Sequence, residues 1–139
     1  GRAAKTSVTI EELYNRLQST MMEGVGIYRS ASGMKRAVQM VSELREQQKE
    51  LKSADPSSIF NTELLDVFEI RNLLDCALVT AESALNREES RGAHSREDFP
   101  ERDDDRWLKH TLARLNEGKV SIMYQDVDIT RFEPKPGVY

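Results

Sequence analysis

The sequence has little of what disulfide-linked or membrane-spanning proteins need. One cysteine, Cys76, is present among 139 residues, so no internal disulfide can form. Because Cys76 lies in an apolar run, we expect a small core residue rather than a reactive thiol. No apolar run approaches the roughly 18 residues that cross a bilayer. The first residues, GRAAKTSVTI, lack the apolar stretch of a secretory signal. A reducing, cytoplasm-like compartment fits these absences.

Basic charge is also scarce. The 20 Lys and Arg residues are outnumbered by 24 Asp and Glu residues, which gives a net charge of -4. Dedicated nucleic-acid binders usually carry a basic patch or stripe, so this balance argues against that class. The length suits one domain with one core. The chain starts at Gly1 rather than at methionine, so we expect it to have been trimmed.

A capping box and a periodic stripe predict the first helix. Thr9 can accept from the amide of Glu12, and the Glu12 carboxylate can reach back to the amide of Thr9. Gly24 and Gly26 are suited to ending the helix. Between them, the apolar residues that share one face are Ile10, Leu13, Leu17 and Met21.

Two further helices follow. The second is predicted from about Ala31 to Ser53, and its polar far half should project into solvent or against protein outside the chain. Asp55-Pro56 closes it, because proline disfavours helical backbone at the preceding residue. The third runs from Asn61 or Thr62 to about Arg87 and carries apolar residues on more than one face. We therefore expect it to be the most buried helix.

The pattern then changes to that of strands. The stretches WLKHTLARL and KVSIMYQDVDITRF flank Asn116-Glu117-Gly118 and predict a hairpin with one sheltered face. The ending FEPKPGVY cannot be a regular strand, because it contains two prolines. The predicted fold class is all-α: a three-helix up-down-up bundle, spectrin-repeat-like, over about 9–87, followed by an extended charged loop and a short C-terminal β-hairpin and tail over 88–139. The bundle could fold alone, whereas the last fifty residues should lie against something else.

No complete active site emerges from the motifs. GVGIYR lacks the third glycine and the strand–turn–helix frame of a dinucleotide fingerprint, so it predicts a helix end and a turn. His94 and His110, the only histidines, have no zinc-ligand spacing with Cys76. The run Asp103-Asp104-Asp105 lacks the ligand spacing of a calcium loop, and its flanking arginines favour local ion pairs. No GxSxG elbow is present. We predict no catalytic, cofactor-binding or metal residue in this chain.

The segment around Glu89–Lys109 is the most unusual part of the sequence. Residues 87–109 hold 14 of the chain's 44 charged side chains. A solvated loop is the ordinary interpretation of such a charge run. Three features argue against a simple solvated loop: arginines with planar forks suited to carboxylate or phosphate partners, Gly92 with its wider choice of backbone conformations, and the anchoring rings of Phe99 and Trp107.

These residues carry a family resemblance. NREESRGAHSREDFPERDDDRWLKHTL, together with VGIYRS, SSIFNTELLDVFEIRNLLDCA and VDITRFEPKP, resembles the C-terminal domain of the flavoprotein subunit of succinate dehydrogenase and fumarate reductase. The likeness extends from about Met22 to Tyr139. L-aspartate oxidases share the E-S-R-G-x-H core, and the tail favours the respiratory enzymes over them.

The resemblance implies an activity for the whole subunit. In that family an N-terminal Rossmann-like domain binds FAD, and a capping domain closes over a dicarboxylate. Succinate and fumarate are interconverted, and electrons pass to an iron–sulfur subunit and on to quinone at a membrane anchor. The chain would thus act in the cytoplasm, peripheral to the inner membrane, without inserting into it or binding nucleic acid. The catalytic residues belong to other parts of the subunit, so the chain alone should be inactive and free of FAD.

The resemblance suggests a role for the charged segment (Glu89–Lys109). We expect it to dock onto the FAD and capping domains, the iron–sulfur subunit, or both. The docking residues would be Glu89, Arg91, His94, Arg96, Asp98, Arg102 and Asp104. In the isolated chain these side chains should be exposed. Two alternatives remain at this point: the C-terminal domain of an L-aspartate oxidase, or a free-standing helical module that binds a protein partner.

Overall fold

Four helices and two small sheets form the described part of the chain. The computed structural model describes residues 8–51 and 62–135, with only the backbone described at 62 and 63. The elements in chain order are α1 (Ile10–Gly24), β1 (Tyr28–Arg29), α2 (Ala31–Lys49), α3 (Thr62–Asn86), β2 (Ser95–Arg96), α4 (Asp104–Trp107), β3 (Lys109–Asn116) and β4 (Lys119–Asp126). The protein is therefore mostly helical with an antiparallel hairpin, as the sequence predicts.

The start of α1 confirms the predicted capping box. The Glu12 amide donates to Thr9 Oγ1 at 3.2 Å, and the Thr9 amide donates to Glu12 Oε2 at 3.0 Å. The helix ends at Gly24, as expected, but by a different physical mechanism. Among the described glycines only Gly92 and Gly118 have positive φ. Gly24 instead lies where α1 touches α2: a Cβ there would stand 2.7 Å from the Ala37 Cβ.

The second predicted helix is shorter than expected. Its N-cap is Ser30, whose hydroxyl accepts from the Gly33 amide at 3.2 Å, and α2 ends at Lys49. The predicted end at Ser53 and the closing Asp55-Pro56 lie outside the described residues. The expectation that its polar far half projects away is wrong for three side chains. Arg45 Nε donates to Asp75 Oδ1 of α3 at 2.8 Å, Gln47 Oε1 accepts from Arg16 Nη1 of α1 at 2.8 Å, and Gln48 is buried.

One face of α3 builds the core. Its buried residues are Ile70, Leu74, Ala77, Leu78, Ala81 and Ala84. They pack with Leu13 and Leu17 of α1 and with the α2 stripe, whose buried members are Met34, Ala37, Val41 and Leu44. At about 25 cal/mol per Å² of apolar surface removed from water, this shared interior is the main favourable term in the folding of the helices.

The other face of α3 is exposed, which corrects two expectations. Leu65 is 67% exposed and Phe68 51%, so this face of α3 does not meet the expectation that α3 is the most buried helix. Cys76 is exposed on the helix rather than buried in the core. The predicted cap Asn61 lies outside the described residues. No helix among the described residues is both long and apolar enough to span a membrane.

The predicted hairpin is confirmed. Strands β3 and β4 pair antiparallel from Lys109 opposite Asp126 to Asn116 opposite Lys119. Glu117 and Gly118 form the two-residue turn with φ of 48° and 78°, the left-handed backbone that such turns require. The first strand begins later than predicted, because Trp107 belongs to α4. Residues 136–139 of the tail lie outside the described residues.

The hairpin does not depend wholly on protein outside the chain. Leu115 of β3 and Val120 of β4, half-buried and opposite each other, pack against the cluster that contains Leu13, Leu74 and Leu78. The expectation that the last fifty residues lie mainly against something else is therefore wrong for this part. An isolated hairpin is marginal, and the helices supply the apolar surface that it lacks.

Candidate functional site

The charged segment has a defined backbone. The amides of Arg91 and His94 donate to each other's carbonyls at 2.8 and 3.0 Å, which closes a tight turn. Gly92 sits in that turn with φ of +57°, a left-handed conformation. The sequence-based role of Gly92 is thus confirmed. Strand β2 follows at once and pairs in parallel with β1, so that Tyr28 lies opposite Ser95.

Glu89 is the centre of the segment. Its side chain is 0% exposed. Oε1 accepts from Arg91 Nε at 2.8 Å, and Oε2 accepts from Arg91 Nη2 at 3.1 Å, a bidentate pair. The Asp103 amide also donates to Oε2 at 3.0 Å, and Arg87 Nε lies 3.3 Å from Oε1. A buried carboxylate needs this many donors, because burial removes its hydration.

Asp104 joins two arginines. Arg91 Nη2 donates to Oδ1 at 2.5 Å, and Arg102 Nη2 donates to Oδ2 at 2.7 Å. The Arg91 and Arg102 hydrogen bonds hold the pKa of Asp104 below its ordinary value, and the Glu89 hydrogen bond raises the pKa of Arg91. Arg102 Nη1 also donates to the Lys135 carbonyl at 2.9 Å, which ties the C-terminal tail to the segment.

Arg96 closes the end of α3. The side chain is 2% exposed, and its Nη1 donates to the carbonyls of Leu85 and Arg87 at 2.8 and 3.0 Å. Helix ends leave carbonyls without intrahelical donors, so a buried guanidinium there satisfies groups that would otherwise be orphaned. The guanidinium also stacks over the Phe99 ring, 4.8 Å from its centroid. This confirms Phe99 as an anchor.

Asp98 connects Arg96 to α2. Its Oδ1 and Oδ2 accept from Arg96 Nε and Nη2 at 3.0 and 2.6 Å. Oδ2 also accepts from the Ala31 amide at 3.3 Å, at the start of α2. The Arg96 hydrogen bonds lower the pKa of Asp98. The charged segment is therefore joined to the first turn of a core helix, where a negative charge is favourable.

His94 is held between two arginines. Arg29 Nη1 donates to Nδ1 at 2.9 Å, so Nε2 carries the proton and donates to the Arg87 carbonyl at 3.0 Å. Burial lowers the pKa of His94, and the charges of Arg29, Arg96 and Arg87 lower it further, against the opposing effect of the Arg87 carbonyl. The imidazole is therefore neutral and connects the α1–α2 turn to the segment.

Trp107 fills the space under the segment and is 6% exposed, as its predicted anchoring role requires. The Arg87 guanidinium and the Lys109 ammonium each lie 5.3 Å from the indole centroid. Tyr124 of β4 meets the indole edge-on at 5.5 Å. The ring thus joins the end of α3 to the hairpin.

The expectation that the docking residues are exposed is wrong for Glu89 and Arg96. Those two are buried; Arg91, His94, Arg102 and Asp104 are half-buried. All seven residues have partners within the chain. The physical reason is that acids and arginines alternate closely enough to pair with one another. The expected local ion pairing of the acidic run is confirmed for Asp104, whereas Asp103 caps α4 through the Arg106 amide at 3.0 Å.

Sequence reasoning missed three contributors to this arrangement. Ser90 Oγ accepts from the Arg96 amide at 2.8 Å and donates to the Phe99 carbonyl at 2.8 Å. Arg29 and Arg87 bracket His94. Arg29 is far from the segment in sequence, and only the parallel pairing of β1 with β2 brings it near. Within residues 8–51 and 62–135, no three His, Cys, Asp or Glu side chains are grouped as metal ligands.

Comparison with known proteins identifies the same family that the sequence of the charged segment resembles, and the match covers most of the chain. The family described as "Fumarate reductase flavoprotein C-term" matches residues 14–139. The fumarate reductase flavoprotein subunit of Haemophilus influenzae is 46% identical over 129 residues, which is 92% of this chain and 22% of that protein. The succinate dehydrogenase flavoprotein subunit of Rickettsia conorii is 42% identical over 130 residues, again 22% of its length.

A solved structure agrees in three dimensions. The FrdA chain of an E. coli quinol fumarate reductase variant superposes with a TM-score of 0.87 at 40% identity, over 93% of this chain and 23% of that one. The charged segment and its helices thus define a flavoprotein C-terminal domain. The chain belongs to the C-terminal family of the fumarate reductase and succinate dehydrogenase flavoprotein subunits. It spans about a fifth of the length of the curated relatives that it matches.

Proposed function

We propose that the parent subunit, meaning the complete flavoprotein of which this chain is the C-terminal part, interconverts succinate and fumarate. The observation that carries the proposal is the 46% identity to a fumarate reductase flavoprotein subunit over 92% of this chain. The parent subunit would hold FAD in its remaining four-fifths and pass electrons to an iron–sulfur subunit. Within this proposal the chain alone is inactive, since no active-site motif occurs in its sequence.

Residues 1–139 act as one C-terminal domain in this proposal. In this proposal the helices α1, α2 and α3 form an up-down-up bundle, which is supported by the packing of α2 against both of its neighbours. The segment after α3 lies across the end of the bundle, because Arg96 binds the last carbonyls of α3 and Asp98 binds the start of α2.

The charged segment docks onto the FAD and capping domains, the iron–sulfur subunit, or both. Since its buried charges are matched internally, docking uses the outer surface that those ion pairs hold in shape. Gly92 and Ala93 are exposed at the tip of the turn. Beside the turn, across the β1–β2 pairing, Ile27 and Tyr28 are exposed to 77% and 74%. Exposed apolar residues beside a rigid turn are typical of an interface core.

The proposed cellular location of the parent subunit follows from its assembly with partner subunits. The parent subunit would sit on the cytoplasmic side of the inner membrane, held there through its partner subunits rather than through this chain. A quinol-fumarate reductase whose structure was solved with menaquinol molecules superposes on this chain with a TM-score of 0.85 at 40% identity. An apolar quinol resides in the bilayer, so electron exchange with a quinol of that kind would keep the parent subunit close to the membrane surface.

The activity is tested on the purified parent subunit. Fumarate reduction and succinate oxidation are measured with an artificial electron carrier, and L-aspartate oxidation is measured in parallel. We expect bound flavin and activity on the succinate–fumarate pair. Oxidation of L-aspartate with no activity on succinate or fumarate would overturn the proposal.

The docking surface is tested by Ile27→Ser in both the chain and the parent subunit. We expect an unchanged Tm for the chain, because Ile27 is exposed, and a loss of flavin or of partner subunit from the parent. Met123→Ser on the hairpin, at a residue 52% exposed, is the matched control. Equal flavin content and assembly for both variants would refute docking through the α1–α2 turn.

A further inference from the structure

A second feature of the chain is a groove lined by cations on the outer side of α3. Its volume is about 570 Å³. One wall is the second half of α3, with Thr80 and Ser83, and the opposite wall is the start of β3, with Lys109 and Thr111. Arg29 and His94 also line the groove. No Asp or Glu lines this groove among the residues that the structure describes, so its positive charge is not neutralised by its own wall.

Arg29 is a half-buried cation of the groove for which the described residues supply no carboxylate. Its Nε donates to the Gly26 carbonyl at 2.9 Å and its Nη1 to His94 Nδ1, and within the described residues no carboxylate pairs with it. The side chain is half-buried, and burial lowers the pKa of Arg29. A guanidinium that is partly removed from water without a counter-charge is less favourable than the same group with a bound anion.

Lys109 is the second groove cation for which the described residues supply no carboxylate. Its ammonium lies 4.8 Å from the Tyr124 centroid and 5.3 Å from that of Trp107. Asp126 stands opposite Lys109 in the hairpin, but no ion pair joins them in the described structure. Aromatic rings hold the ammonium in place without neutralising it, so its charge remains available.

The remaining groups add donors and no negative charge. Arg87 lies 3.3 Å from Glu89 and donates to the carbonyls of Trp107 and Lys109, so its charge is already partly matched. His94 is neutral with Nδ1 facing Arg29. Ser83 and Thr111 line the groove, and residues of these types can donate a hydroxyl hydrogen to an oxygen anion.

We propose that this groove binds an oxyanion, a carboxylate or a phosphate, between Arg29 and Lys109. The planar fork of Arg29 suits two oxygens of one such group, and Lys109 supplies a point charge. Two sources have the same chemistry: a free small anion, or an Asp or Glu side chain from the rest of the parent subunit. The inference needs only the residues of this chain and does not depend on the activity of the parent.

The first arm of the test uses the 139-residue chain and inorganic phosphate. Amide chemical shifts at residues 109–111 are followed by NMR during a phosphate titration at constant ionic strength. We expect saturable shifts, and for Lys109→Gln an affinity lower by about tenfold, the loss of one charge-assisted contact. Lys35→Gln, at an exposed residue of α2, is the control and should stay within about twofold of the unmodified chain.

The second arm uses the parent subunit and a carbodiimide, which joins lysine to a carboxylate only in direct contact. A cross-link from Lys109 to an acid outside this chain, with none from Lys35, identifies the protein-borne source. Phosphate binding in the chain that persists in the parent subunit, without that cross-link, identifies the free anion. Two results of the titration count against the proposal: chemical shifts that do not saturate with phosphate, or an equal loss of phosphate affinity in the two lysine variants. Either result, together with the absence of a specific cross-link, overturns the proposal whatever the activity of the parent subunit.

Discussion

At the scale of the residue, the chain buries charge where most small proteins bury apolar groups. Glu89 has no exposed surface and faces donors from Arg87, Arg91 and the Asp103 amide. Taking a carboxylate out of water costs several kcal/mol, which the surrounding donors offset only when all are present. Such an arrangement fixes one geometry, because any displacement leaves a buried charge unmatched.

Glu89→Gln should strongly destabilise the chain. The substitution keeps the shape of the side chain but removes the charge, and Arg87 and Arg91 would be left with an amide in place of a carboxylate. We expect the free energy of unfolding to fall by about 3–5 kcal/mol, measured by urea denaturation.

The neighbouring Glu88 provides the matched control. Its carboxylate lies 3.5 Å from Arg106 Nη2, and both side chains are exposed. Glu88→Gln should therefore change stability by only about 0–1 kcal/mol. Similar losses for the two substitutions would show that the buried ion pairs do not hold the segment together.

His94 should make stability depend on pH. Its pKa in the folded chain is lowered by burial and by neighbouring arginines, so the unfolded chain binds more protons below the ordinary value of about 6.5. The contribution of His94 is thus complete above that pH and is lost as the pH falls. Asp98 and Asp104, with lowered pKa values, lose theirs only in more acidic solution.

His94→Gln removes this titration while a side-chain amide can still accept from Arg29 and donate to the Arg87 carbonyl. Between about pH 7 and pH 5 the slope of unfolding free energy against pH should become flatter, by at most about 1.4 kcal/mol per pH unit. Denaturant unfolding at several pH values measures both slopes. Parallel curves for the variant and the unmodified chain would contradict the neutral, half-buried imidazole.

At the scale of the element, α1 and α2 come together more closely than side chains allow. A Cβ on Gly24 would meet the Ala37 Cβ at 2.7 Å and the Gly33 carbonyl oxygen at 2.8 Å. Neither atom is the end of a flexible side chain, so the helices would have to separate. The glycine that the sequence marks as a helix end is therefore also the contact point of two helices.

Gly24→Ala tests that contact. Overpacking should cost about 1–3 kcal/mol, even though alanine is the better helix former. Ser19→Ala, at an exposed position of the same helix, should stay within about 0.5 kcal/mol. Thermal unfolding of both variants compares them, and a stabilised Gly24→Ala would show that the helices are not in close contact there.

Local patterns in the sequence predict the helices and the hairpin well, but they do not predict which distant segments contact one another. The Thr9 capping box and the alternation around Val120 depend on residues close in sequence, so helix and hairpin follow from them. The pairing of Tyr28 with Ser95 joins distant segments, and no local pattern carries it. The sequence likewise predicts partners outside the chain for Arg91 and Arg96, because charge alone does not show whether an arginine finds its acid nearby.

At the scale of the whole molecule, the charged segment joins the helices to the hairpin. It caps α3 through Arg96, reaches α2 through Asp98 and meets the hairpin at Trp107. Replacement of Arg91 should consequently destabilise the isolated chain as well as the parent subunit, whereas the sequence alone predicts an effect mainly in the parent. Under the proposed docking, the exposed apolar residues of the α1–α2 turn, rather than the buried ion pairs, would make the direct contacts.

Amide hydrogen exchange of the isolated chain tests most directly whether the charged segment is folded by its own ion pairs. The Arg96 amide donates to Ser90 Oγ, and the Asp103 amide donates to Glu89 Oε2. Both should exchange as slowly as amides in the middle of α3, because both open only when the segment unfolds. Exchange of these two amides at the rate of an unstructured peptide, with α3 still protected, would contradict the account.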